Sequence, residues 1–459
     1  MTVHDRLKAL LAGPFIRAVG ILVGGTVIAQ IILGITLPIA TRLYSPEDFS
    51  TLAVFTGIVS IISVATCLRY DIAVPLPVDH ADGVAIVLLS TGIAAAISLV
   101  VLITTLMFAD TLSDWLGHPE LSGYFWLIPL ATFLAGTYSA FQFWFVRSKR
   151  FGDLARNRIA QASGSAITQI GMGIAGAAPL GLLLGQVVNS GLGALRLALR
   201  FQREEASTIA SMSAARIGRV ARTFDRFPKF SALEAMCNSA AIYLPIILLS
   251  AWAVGPEAGY LSLGMYAMQV PMSLIGNAVS QVYMSRGPEE YRAGRLGSFT
   301  NEVLTGLLKS GVGPIICLGV VAPELFRLVF GPDWARAGVL VAWMCPWFVM
   351  QFLAAPVALA LHVTNRLVDA FLLQVFGLVL RTGAVVLFAA LPGAHLTEAY
   401  ALSGFVFYFV YLLQILRVTG GSARPLLQDG LRAAPIILAW ALLGGLGSLG
   451  LSFINTLLS

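Results

Sequence analysis

The sequence predicts an all-α polytopic membrane protein: two six-helix bundles related by a pseudo-two-fold axis along the membrane normal, followed by a thirteenth, C-terminal helix. Three observations lead there. Hydrophobic residues make up 58% of the 459 residues and charged ones 11%, against about 25% charged in an ordinary soluble domain. Apolar stretches of roughly 20 residues, the length that crosses a bilayer as a helix, recur along the chain. Short motifs also return in the same order in the two halves.

Bounded by charges, Pro or Gly, the first six spans fall near 15–40, 49–68, 83–108, 122–146, 157–177 and 180–199. The next six fall near 230–251, 258–284, 302–325, 337–362, 367–391 and 398–416, and a last run covers 434–456. The run from Phe15 reads as a first span and not a removed signal peptide, because no small-residue cleavage site follows it. The resulting organisation is an N-terminal lobe 1–200, a basic linker 201–228, a second lobe 229–417 and a C-terminal segment 418–459. Pro245, Pro271, Pro314, Pro346 and Pro356 lie inside predicted helices and are expected to kink them.

Charge fixes the orientation. With the N-terminus cytoplasmic, Arg42, Arg327 and Arg336 fall outside and Lys309 and Arg381 within spans, leaving 24 of the 29 Lys and Arg near the cytoplasmic face, as retention of basic loops requires. The formal charge of +6 therefore needs no nucleic-acid partner. In the linker, Arg216, Arg219, Arg222 and Arg226 recur at steps of three and four, one face of a helix with Ile217 and Val220 turned away. Two readings stand: an interfacial helix on the anionic inner leaflet, or a solvated positive-inside connection.

Cys67, Cys237, Cys317 and Cys345 lie singly in apolar segments and read as buried thiols, without metal or redox spacing. His4, His80, His118, His362 and His395 show no paired spacing, so no metal site is expected. No cofactor is implied, and phosphate-binding Gly-Lys loops, HExxH and GxSxG are absent, so no enzyme active site is expected.

The repeat is the decisive organisational feature. Pro46-Glu47 after span 1 returns as Pro256-Glu257 after span 7, and Trp115-Leu116-Gly117-His118-Pro119 between spans 3 and 4 as Val329-Phe330-Gly331-Pro332. Arg150-Phe151-Gly152-Asp153 returns as Arg366-Leu367-Val368-Asp369. The offsets are 210 (46 to 256), 214 (117 to 331) and 216 (150 to 366). Two like lobes with a cleft between them form the architecture of alternating access.

Arg42-Leu43-Tyr44-Ser45-Pro46-Glu47-Asp48-Phe49, Leu68-Arg69-Tyr70-Asp71, Phe227-Pro228-Lys229-Phe230, and Gly276-Asn277-Ala278-Val279 with Gln281 resemble the oligosaccharide flippases of the polysaccharide transporter family. That family belongs to a superfamily that also holds multidrug extrusion pumps and peptidoglycan-precursor flippases. The resemblance runs from about residue 15 to 417. It implies an inner-membrane protein that moves an undecaprenyl-pyrophosphate-linked oligosaccharide, an O-antigen or exopolysaccharide repeat unit, from the cytoplasmic to the periplasmic leaflet. Membrane lipid, a polysaccharide polymerase and other assembly proteins are the partners it implies. A drug or metabolite antiporter of the same superfamily is the alternative. An integral-membrane polymerase or ligase is disfavoured, since the longest external segments, around 109–121 and 326–336, are short.

An anionic, hydrated headgroup calls for cations and amides in the cleft, and Arg suits phosphate through its planar fork. Arg381, near the middle of span 11, is the sharpest candidate, opposed by a structural ion pair or snorkelling to water. Lys309 falls on the face of Glu302 and is expected to pair with it. Arg17 is either cleft-facing or topogenic, and Arg69 with Asp71 reads first as a local charge pair. Lys229 stands at the inner mouth with Glu234, and Asn238 follows one turn later. Asn238, Asn277 and Gln281 are candidate sugar contacts, and Asp71, Glu234 and Glu302 candidate ion-coupling acids.

Overall fold

The computed structural model describes residues 14–117, 119–391 and 395–458. Among them there is no strand, and thirteen long helices follow the predicted spans. In the N-terminal half these are α1 (Pro14–Leu43), α2 (Pro46–Thr66), α3 (His80–Met107), α4 (Leu127–Arg147), α5 (Phe151–Ile174) and α6 (Leu180–Glu204). After the linker come α7 (Ala232–Trp252), α8 (Glu257–Arg292), α9 (Leu296–Phe330) and α10 (Ala335–Ala354). The chain ends with α11 (Leu367–Ala389), α12 (Leu396–Thr419) and α13 (Ala423–Leu458). Among the described residues, ten helices are long and apolar enough to cross a membrane. With no strand to pair their backbones, the chain is a multi-pass membrane protein.

The ends of these helices have local causes. Asp79 caps α3, its carboxylate accepting from the Ala81 N–H at 3.1 Å, which satisfies a donor that no helical carbonyl can reach. Arg147 holds the loop before that cap by donating to the carbonyls of Val74, Pro77 and Asp79. Of the five prolines expected to kink helices, Pro245, Pro271 and Pro346 lie inside α7, α8 and α10. Pro314 instead follows a π-helical turn at Leu308–Val312, and Pro356 sits in the 3-10 turn Ala355–Val357. At these two positions the missing N–H falls at a break in the helix, where it removes no regular bond.

Backbone proximity divides the described residues into two compact units. One holds the described residues up to Tyr44 and Val54–Ser239; the other holds Ser45–Ala53 and the described residues from Ala240 on. In the first, α5 packs on α1 and α6, and α4 on α3 and α6. Gly25 makes the α1–α5 approach possible, since a Cβ there would stand 2.5 Å from the Ala155 Cβ. In the second, α9 packs on α10 and α13, α10 on α8 and α12, and α11 on α12.

The cysteines depart from expectation. All four are free, but only Cys67 is buried, while Cys237, Cys317 and Cys345 are part-exposed. Cys345 nonetheless packs on α9, its thiol donating to the Ile315 carbonyl at 3.7 Å, and a part-exposed thiol is equally at home against lipid.

Gly25→Leu should force α1 and α5 apart and cost about 1–3 kcal/mol, the usual penalty of overpacking. A melting temperature in detergent equal to wild type would show that this approach carries no stability.

Candidate functional site

In the second unit, Arg381 of α11 is 2% exposed. Its guanidinium carbon lies 4.4 Å from the ring centre of Phe407, 5.2 Å from Trp347 and 5.4 Å from Tyr408. Nη1 donates to the Ala241 carbonyl at 3.4 Å, while Nε and Nη2 are buried without an acceptor. Among the described residues no carboxylate pairs with it and it does not reach solvent, so neither alternative to a functional role, a structural ion pair or snorkelling to water, explains it. An ionised Arg at a helix centre in the bilayer costs about 2.5–3.5 kcal/mol. Three ring contacts at roughly 0.5–2 kcal/mol each offset that cost, but two idle donors at about 1–3 kcal/mol each remain unmet. The guanidinium is tolerated there, with hydrogen-bonding capacity to spare.

The first unit holds a second polar set. Asp71 is 4% exposed; its Oδ2 accepts from Ser139 at 2.5 Å and its Oδ1 is buried without a donor. The expected Arg69–Asp71 pair does not form. Leu68 and Arg69 both take left-handed backbone conformations, with φ of +47° and +61°, a strained turn for such side chains in which the regular spacing assumed for the pair is lost. Arg69 Nε is buried and idle as well. In the same unit, Arg158 of α5 donates to the Thr26 hydroxyl of α1, and Asn157 and Gln161 of α5 are buried.

Arg158 was not among the predicted site residues. Its position eight residues after Arg150 reads as one more basic residue at the start of a span. The signal that could have found it is the run Asn157-Arg158…Gln161, three polar side chains within two turns of a helix meant for lipid.

Other predicted residues are placed differently. Lys309 lies 3.9 Å from Asp429 of α13 and does not pair with Glu302, which is exposed. The π-helical turn at Leu308–Val312 shifts the face on which Lys309 emerges. Lys229 is exposed and paired with Asp225, in a π-helical turn at Phe227–Ser231. Glu234 is half-buried, while Asn238, Asn277 and Gln281 are exposed. Arg17 lies in α1. Arg6, Lys8, His4 and His118 fall outside the described residues.

The linker helix Ala214–Thr223 meets neither expectation in full. Val220 is 3% exposed, Ile217 packs beside it on the core of the first unit, and the Tyr70 hydroxyl donates to the Ala221 carbonyl. Arg216 bridges Asp79 at 2.7 Å and Asp82 at 3.0 Å, and Arg219 reaches Asp82 at 3.3 Å. Half of the arginine row is thus spent on the carboxylates that open α3. The helix is docked on protein, neither free in solvent nor offering its whole basic face to lipid.

A protein-family model described as polysaccharide biosynthesis protein matches residues 39–338. No curated protein matches the sequence. Among solved structures the chain is similar to the lipid II flippase MurJ in an inward closed conformation, at 11% identity and a TM-score of 0.73, covering 95% of this chain and 97% of that one. It is also similar to an inward-facing multidrug resistance MATE family transporter of the MOP superfamily, at 15% identity and a TM-score of 0.54, covering 89% and 96%. A MOP superfamily transporter from Pyrococcus furiosus matches at 15% identity and a TM-score of 0.51, covering 90% and 98%. At these identities the likeness shows the fold.

The linker contacts carry a pH dependence. The hydrogen bond from Arg216, with the Ala81 N–H, holds the Asp79 carboxyl below the usual carboxylate range, and the same bond raises Arg216. A lowered acid stabilises the docked helix above its ordinary pKa and stops doing so as pH falls through the lowered one. A nitroxide at Gly218→Cys should therefore stay immobile between about pH 5 and 8 and gain mobility only in stronger acid. Mobility that rises on going from pH 5 to 8 would contradict the pairing.

Proposed function

Because the chain belongs to the polysaccharide biosynthesis protein family, we propose that it is a flippase for an undecaprenyl-pyrophosphate-linked oligosaccharide. In this reading it sits in the cell inner membrane with its N-terminus cytoplasmic, and two six-helix lobes alternately open a cleft to the cytoplasmic and periplasmic leaflets. The reading is one of transport, not catalysis.

The observation that carries the proposal is Arg381, a cation buried in a membrane helix with no carboxylate partner among the described residues and two idle donor nitrogens. A diphosphate offers the paired oxygens that a guanidinium fork accepts best. While the headgroup and its sugars cross through protein, the polyprenyl tail remains in lipid, where its burial costs nothing. Arg69, with its own idle Nε, and Arg158 are further cations for the headgroup, and Arg17 of α1 belongs with them. Lys229 and Lys309 are weaker candidates, since each already has an acidic neighbour. Asn238, Asn277 and Gln281 expose amides that suit sugar hydroxyls.

For coupling, Asp71 leads Glu234 and Glu302. It is a buried carboxyl whose Oδ2 accepts from Ser139 and whose Oδ1 has no donor, so one oxygen is free to take a cation or a proton.

Deleting the gene should trap the lipid-linked oligosaccharide on the cytoplasmic side and abolish surface polysaccharide, restored by the wild-type chain. Normal surface polysaccharide with altered drug sensitivity would point to the antiporter instead. Arg381→Ala should cut complementation roughly 10- to 100-fold, the worth of a charge-assisted hydrogen bond, with protein in the membrane at the wild-type level. Equal loss of protein and polysaccharide would make Arg381 structural. Asp71→Asn should flatten the dependence of flipping on an imposed pH gradient; an unchanged dependence would remove Asp71 from coupling.

A further inference from the structure

Pro245 lies in the middle of α7 and has no N–H to give to the carbonyl four residues earlier. That carbonyl belongs to Ala241, and the donor it finds is Arg381 Nη1, at 3.4 Å. The next carbonyl along, of Ile242, receives the hydroxyl of Tyr400 of α12, at 3.2 Å. Tyr400 is itself fully buried and packs edge-on to Trp347, with ring centres 5.3 Å apart. Arg381 and Tyr400 thus supply, from two other helices, hydrogen bonds at the proline break in a third.

The aromatic cage holds Arg381 in that position. Its rings close because two helix positions have no side chain: a Cβ on Gly404 would collide with the Trp347 ring and one on Gly377 with the Phe407 ring. Yet the hold is incomplete. The single bond from Arg381 is long, and its other two nitrogens have nothing to bond.

We propose that Arg381 and Tyr400 form a latch on a proline hinge in α7, opened when an oxyanion draws the Arg381 guanidinium away from the Ala241 carbonyl. An oxyanion offers two acceptors at once to the guanidinium fork, whereas the carbonyl occupies one donor. Removal of Arg381 leaves the Ala241 carbonyl unpaired at the one point where α7 has no bond of its own, so bending there becomes easier. The anion's role rests on the proposed anionic cargo; the latch itself does not.

Two measurements on the purified full-length protein test this. In the cargo-free protein, Arg381→Ala should lower the melting temperature by several degrees. Pro245→Ala, which restores an N–H for Ala241, should recover much of that loss in the double variant. Absence of any recovery overturns the latch whatever the cargo is. The second measurement is the distance between nitroxides at Met236→Cys and Trp252→Cys, on either side of Pro245, in a background without native cysteines. Farnesyl pyrophosphate should shift that distance in wild type and not in Arg381→Gln, which retains an amide donor but no charge. Inorganic pyrophosphate producing the same shift assigns the effect to the headgroup alone; a shift with farnesyl pyrophosphate only assigns it to the lipid form. No shift with either, a shift that persists in Arg381→Gln, or an equal one with neutral farnesol overturns release by an anion. The surface polysaccharide of the deletion strain reports on the cargo separately, so the two failures are distinguishable.

Discussion

Inside a bilayer a backbone carbonyl that loses its helical partner cannot turn to bulk water, so a break in a spanning helix is met by a neighbouring side chain, an ordered water or a local change of helix type. The carbonyl of Ala241 is the sharpest instance. Pro245 leaves it without the bond that the helix would supply, and the side chain that reaches it is the buried cation of α11. Trp347, Phe407 and Tyr408 close around Arg381 over the side-chain-free surfaces at Gly377 and Gly404, and so hold it at that acceptor. A charge that would be a liability in lipid becomes the means of repairing a helix.

Much of the fold was legible because the bilayer imposes a length and a composition that need no knowledge of tertiary contacts. The ends were less so. α8 runs on to Arg292, beyond the predicted limit of 284, since Arg286 and Glu290 one turn apart support a helix in water as well as in lipid. α13 starts at Ala423, eleven residues ahead of the apolar run, where Asp429 lies between Lys309 and Arg432. Charges mark where a helix leaves the membrane, and a helix has no reason to stop there.

The site was legible only as single residues. Arg381 stood out as a cation in an apolar run, but no spacing foretold which rings would surround it, because they come from α10 and α12. The Lys309–Glu302 pairing failed for a local reason: seven residues keep one face only in an unbroken α-helix, and one extra residue in a π-helical turn rotates the remainder of the helix by about 100°. The spacing of the linker arginines marks a helical face, yet Asp79 and Asp82 lie more than a hundred residues away in sequence, so their claim on it is invisible there.

Transbilayer movement itself is the most direct test. The purified chain should be reconstituted in vesicles carrying a fluorescent polyprenyl-pyrophosphate-linked oligosaccharide, and the label in the outer leaflet followed by a membrane-impermeant quencher. The account predicts that the protein accelerates exchange between leaflets and that the same lipid bearing no pyrophosphate is left where it was. Exchange no faster than in empty vesicles under any imposed ion gradient, or equal acceleration of the uncharged lipid, would contradict it.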